Sequence, residues 1–183
     1  MLVERRYIRL NALRYARRWA LDRNPLFMNY TGIGGDCTNF ISQCLLAGSC
    51  RMNYTPVFGW FYIDSDNRTA SWTGVEFLYN FLVGNEGTGP YATEVGEEET
   101  QIGDIVQLRN SEDDYYHTLF ISGFSPDGEI LVAAHSDDAL DRPLSSYNYA
   151  GARFLHIEGV RFEVPMNEVS CFENLFGGVS LLP

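Results

Sequence analysis

One cysteine of this chain sits where a thiol becomes a nucleophile. The run Gly34-Gly35-Asp36-Cys37-Thr38-Asn39-Phe40-Ile41-Ser42-Gln43-Cys44 reads as a glycine loop feeding a helix that Cys37 begins. Free N–H groups and the positive end of the helix dipole favour thiolate over thiol there. A thiolate in that position points to covalent attack on a carbonyl. Such chemistry needs a base and a group to orient it. The chain has three histidines, at 117, 135 and 156. His117 opens one predicted strand and His135 ends the next, so a hairpin brings them to one edge of a sheet, about 5 Å apart if they pair directly. Cys37 is then the nucleophile, His117 the base and later the acid, and His135 the residue that fixes the His117 tautomer. Asp137, two residues on, is the rival for that third role. His156 reads as structural. Asp36 reads as a helix N-cap before a catalytic acid.

The elements that must hold these residues are legible from periodicity. Residues 3–22 carry a helical apolar stripe of Ile8, Ala12, Tyr15, Ala16 and Trp19, stopped by Asn24-Pro25. A second helix runs from Cys37 to about Ala47, closed by Gly48, with Phe40, Ile41, Cys44 and Leu45 on its buried face. Residues 49–72 are irregular and aromatic; core packing or the wall of a substrate groove both account for Trp60 and Trp72. A third helix covers about 74–83, with Thr73 and Glu76 spaced as a capping box. An acidic loop spans 84–100. Strands follow at about 102–108, 117–123, 129–135 and 151–163, the middle two joined by Ser125-Pro126-Asp127-Gly128. Helices first and an antiparallel meander second predict an α+β domain over 1–163. Residues 164–183 read as a loosely packed tail.

Composition narrows the function. The 183-residue chain has a formal charge of −11, which excludes general nucleic-acid binding. Seven of its arginines fall in the first 23 residues and read as a helix face snorkelling over an acidic body. There is no lysine, so Schiff-base chemistry is out. Cys37 and Cys44, about 10.5 Å apart on a helix axis, cannot form a disulfide, which needs Cα atoms within about 7 Å. Pairing of Cys50 with Cys171 stays open. No signal peptide or membrane span is visible, so the chain as written is expected in the cytoplasm, as a monomer without cofactor. Action at the cell envelope follows if an export signal was removed or if lysis releases the protein.

The ordered set Asp36-Cys37-Thr38-Asn39-Phe40, Gly103-Asp104-Ile105-Val106, His117 and a polar residue ending the next strand resembles the papain-like cell-wall peptidases of the NlpC and CHAP types. More closely, Asp36 to Leu45 with Phe58-Gly59-Trp60 and Trp72-Thr73-Gly74 resembles the bacterial putative amidase domain family of that clan, over about residues 5 to 160. The resemblance implies a papain-like cysteine hydrolase core, with N-terminal helices packed on the sheet. It implies cleavage of a peptide or amide bond, with cell-wall muropeptides as the usual substrate class. It makes Tyr30, Asp36, Trp60 and Trp72 the candidates around the oxyanion and substrate. Two other classes stand beside it: a non-catalytic binding module on the same fold, and a metal-dependent hydrolase using His117, His135 and Asp137 or Asp138.

Overall fold

A computed structural model describes residues 1–163 and 168–181. Among the described residues the chain is α+β, with five α-helices, two short 3-10 turns and a seven-stranded antiparallel sheet. It opens with a short strand, β1 (Val3–Arg5), where the helical stripe predicts helix. The helix α1 (Arg9–Trp19) begins later, because residues 3–5 are taken up by pairing with β7 (Gly151–Phe162). Next comes α2 (Cys37–Ser49), every residue of which is buried. It ends at Cys50, in the left-handed region at φ 45°. Gly48 does not close this helix. It lies inside it because the Tyr7 ring leaves no room, a Cβ there falling 2.2 Å from Tyr7 Cε2.

Residues 49–72 are irregular as expected, apart from the single turn α3 (Ala70–Thr73). The helix α4 (Val75–Gly84) starts after Gly74, with no side-chain cap. Thr73 therefore does not form the expected capping box, since it closes α3 instead. The acidic loop contains a strand, β2 (Gly89–Val95), which runs beside β7. The meander is β3 (Ile105–Arg109), β4 (Tyr115–Phe124), β5 (Ile130–Ala134) and β6 (Ala139–Pro143). Sheet order is β1-β7-β3-β4-β5-β6, with β2 also on β7.

Strand alternation builds two cores. On one face Ile105, Phe120, Ala133 and Leu155 pack with Phe40, Ile41, Cys44 and Leu45 of α2. On the other, Val106, Leu108, Leu119, Ile121 and Val132 pack under Leu144. Burial on both faces explains why β3 and β4 read as near-continuous apolar runs.

The segment expected as a loose tail carries α5 (Glu168–Phe176). It is held down by the Cys50–Cys171 disulfide, by buried Phe172 and Leu175, and by Trp19 Nε1 donating to Phe176 O at 3.0 Å. Closing 121 residues with one disulfide stabilises by about 2–4 kcal/mol, chiefly by constraining the unfolded chain. Residues 164–167 and 182–183 of that segment lie outside the described residues. No helix among the described residues is long and apolar enough to cross a membrane.

Candidate active site

The site lies where the sheet splits. The β4–β5 ladder has its last rung at Phe120↔Ala133. Continued, that register would put His135 opposite Thr118, not His117. Instead the chain leaves the sheet after Ala134, and the first turn of α2 takes its place against β4. Thr38 Oγ1 and Thr118 Oγ1 are 2.9 Å apart in a buried hydrogen bond. Cys37 and His117 each precede one partner of that bond. In loop 135–138, Ser136 Oγ accepts from Asp36 N at 2.7 Å and Asp137 pairs with Arg142.

Cys37 is delivered by Gly34 and Gly35, at φ 101° and 97°, a conformation any Cβ would strain. It is buried, lies outside both apolar cores, and has the hydroxyl of Thr38 at 3.7 Å from its sulfur. It is a free thiol at the first residue of an eleven-ångström-wide rod of aligned peptide dipoles, about that diameter with side chains. Cys44 is also free but wholly buried, and burial pushes its thiol well above the ordinary value.

His117 sits beside a bulge between the Leu108 and Arg109 rungs of β3, where Tyr116 is left unpaired. It is buried, with Tyr116 stacked at 6.2 Å and Tyr147 at 5.8 Å between ring centroids. Among the described residues nothing hydrogen-bonds its ring. Burial pushes it down to about 4; the Arg142 guanidinium adds to this and the Asp137 carboxylate opposes it. The ring is therefore neutral at pH 7, the state a general base requires. Arg142 pairs with Asp137 at 2.7 Å and lies 3.9 Å over the Tyr147 ring.

His135 does not make the expected bond to His117. Its Nδ1 lies 2.6 Å from Asp36 Oδ2 and its Nε2 lies 2.8 Å from Trp19 O. The carboxylate and the carbonyl are both acceptors. Arg23 Nη1 also comes within 3.3 Å of Nε2, but the carbonyl is the shorter contact. The ring stacks on Phe40 at 4.0 Å. Asp137, the rival, makes no hydrogen bond to His117 among the described residues either; its carboxylate pairs with Arg142.

Asp36 is not a side-chain cap. Its carboxylate is taken elsewhere: Oδ1 accepts from Tyr30 N at 2.9 Å and Asn39 Nδ2 at 2.8 Å, and Oδ2 faces His135 and Arg23. Burial works to raise its carboxyl, but the His135, Tyr30 and Asn39 bonds outweigh it and hold the group below the ordinary range. Its charge is thus matched locally, by His135 and Arg23.

Trp60 and Trp72 do not wall a groove. Both have no exposed surface. Their indole N–H groups donate to α2, Trp60 to Ser42 Oγ and Trp72 to Asn39 Oδ1, each at 3.0 Å. The polar letters of the cysteine run are therefore scaffold: Asn39 and Ser42 hold the tryptophans, and Gln43 accepts from the Tyr15 hydroxyl at 2.7 Å. Tyr30 is half-buried under Arg68, and its hydroxyl is buried without a hydrogen-bond partner. His156 is structural, its Nδ1 2.8 Å from Asp104, which also takes Arg9. Among the described residues no three His, Cys, Asp or Glu converge as a metal site, so the metal-hydrolase alternative lacks a ligand set. Sequence reasoning missed Arg23, Ser136, Arg142 and Tyr147; only Ser136, adjacent to His135, carried a signal.

Residues 6–157 match the model of the putative amidase domain family. The chain belongs to that family. A curated relative, "Uncharacterized protein YhbB" of Bacillus subtilis (strain 168), is 32% identical over 137 residues, 73% of this chain and 42% of that protein. The chain thus spans less than half the length of the relative it matches. No solved structure matches the chain.

Proposed function

We propose that this putative amidase domain is a cysteine-dependent amide hydrolase of the papain-like NlpC and CHAP type. The observation that carries the reading is a free thiol opening α2 and a neutral histidine on β4, each one residue before a partner of the buried Thr38–Thr118 hydrogen bond. In this reading His117 takes the Cys37 proton as sulfur attacks the carbonyl carbon. The oxyanion is met by the Cys37 backbone N–H at the start of α2. His117 then protonates the leaving amine, and water, deprotonated by His117, releases the acyl group and restores the thiol. Asp137 is the residue proposed to tune His117.

Cell-wall peptides are the proposed substrates. The Cys50–Cys171 disulfide supports action in an oxidising compartment such as the envelope, against the cytoplasmic expectation. A mass-spectrometric screen of muropeptides and small acyl-amides, with Cys37→Ala as control, tests the reading. Turnover by the parent and none by the variant is expected; equal turnover would sink it.

A further inference from the structure

Three consecutive features of loop 135–138 converge on Asp36. His135 holds its carboxylate. Ser136 Oγ receives the Asp36 N–H at 2.7 Å. Asp138 binds Arg23 through both guanidinium nitrogens at 2.9 Å, and Arg23 Nε in turn lies 3.3 Å from Asp36. Ser136 and Asp137 adopt φ of 64° and 100°, the left-handed region that non-glycine residues avoid. Two such residues in succession persist only where the surroundings over-determine them. The next residue after Asp36 is Cys37.

We propose that His135 is a positioning residue for the Cys37 thiol, fixing the first turn of α2 through Asp36 and not by orienting His117. This rests on the cysteine-hydrolase reading above. The orphan N–H groups of a helix act on a thiolate only within the first turn. A first turn free to unwind would carry Cys37 away from them and from the Thr38–Thr118 bond that ties α2 to β4. The end of α2 is exposed to that risk, because its only side-chain cap candidate, Asp36, makes no cap bond. The ring of His135 supplies the anchor, with Trp19 O at its far nitrogen and Phe40 of the same helix against its face.

Two near-isosteres separate the bonds. Asparagine at 135 keeps a donor where Nδ1 stood, facing Asp36. Glutamine keeps one where Nε2 stood, facing Trp19 O. The full chain is treated with iodoacetamide at pH 7, and carboxymethylation of Cys37 is followed by peptide mass spectrometry. Wholly buried Cys44 in the same sample reports unfolding. His135→Asn is expected to keep most of the Cys37 rate, and His135→Gln to lose about tenfold, as befits loss of one charge-assisted hydrogen bond. The His117 titration midpoint, followed by NMR, is expected to be the same in both variants and the parent.

Equal losses in the two variants, the reverse order, or a His117 midpoint that moves in His135→Gln would each overturn the proposal while leaving the thiol-hydrolase reading intact. A parent Cys37 no faster than Cys44 would overturn both. Should His135→Gln not fold, Ser136→Ala serves: it leaves the ring in place and removes the acceptor of the Asp36 N–H. It is expected to slow Cys37 by about threefold; an unchanged rate would contradict the proposal.

Discussion

His117 and His135 stand at the ends of neighbouring strands, and both are buried, yet their surroundings are opposite. His135 is saturated: a carboxylate on one nitrogen, a carbonyl on the other and a phenyl ring on its face. His117 has two tyrosine rings beside it and no hydrogen bond among the described residues. Folding spends polar contacts on the first and withholds them from the second. The His117 ring nitrogens are not among the fully buried side-chain atoms left without a partner, so they stay open to a proton donor. The contrast teaches that burial and strand position do not separate a scaffold histidine from a reactive one; the partners of each nitrogen do.

The comparison breaks most visibly in activity. His117→Ala is expected to lower amide hydrolysis by about 10²–10⁴-fold, the usual worth of a general base, with the thermal midpoint unchanged or raised. A variant of normal activity would remove His117 from the chemistry. His135→Ala acts mainly on stability, with a smaller loss of activity than His117→Ala. It takes one partner from the buried Asp36 carboxylate and leaves Arg23, Tyr30 N and Asn39, and a loss of about 1–3 kcal/mol in urea unfolding is expected. Stability within error of the parent would show that the saturated contacts carry little.

Acid sharpens the contrast. Folded His117 stays neutral down to about pH 4, whereas an unfolded histidine takes a proton near 6.5. Between those values the unfolded state binds more protons, so stability falls as pH falls, by about 3 kcal/mol for this group. Asp36 acts in the same direction, since its depressed carboxyl contributes stability that is lost as pH falls through its folded value. Asp36 is common to parent and His117→Gln. The difference between their unfolding free energies from pH 7 to 4 therefore isolates His117; parallel curves would refute its depressed titration. On the scaffold side, Asn39→Ala leaves Trp72 Nε1 unpartnered and is expected to cost about 1–3 kcal/mol by the same unfolding assay. The smallest effect is expected at the rim. Arg142→Ala removes a cation that pushes His117 down, so the acid limb of kcat/KM should move up by less than about one pH unit. Asp137→Asn should move it down, and shifts of the opposite sign would reverse the electrostatic assignment.

Much of the frame was legible because it rests on local pattern. The start of α2 follows from the glycines before Cys37, and the meander from period-two alternation and the Ser125–Gly128 turn. The first strand was hidden because Val3–Arg5 owes its conformation to β7, more than 150 residues away. The site was legible in its parts and not in its pairings. A two-residue hairpin argument placed His135 opposite His117, but the register runs one residue off and β5 leaves the sheet. Asp36 looked like a cap because caps are a local rule; its carboxylate answers to His135 and Tyr30, contacts no local rule contains. Trp60 and Trp72 looked free to line a groove because their partners, Ser42 and Asn39, sit within the cysteine run and were read as part of its chemistry.

The central claim is that Cys37 is the nucleophile and His117 its base. The most direct measurement is the rate of Cys37 carboxymethylation by iodoacetamide at pH 7 in the parent and in His117→Ala, with Cys44 in each sample as reference. The account expects Cys37 to outrun Cys44 by about 10²-fold or more in the parent and to lose most of that advantage without His117. Equal rates at the two cysteines, or a Cys37 rate indifferent to His117, would contradict it.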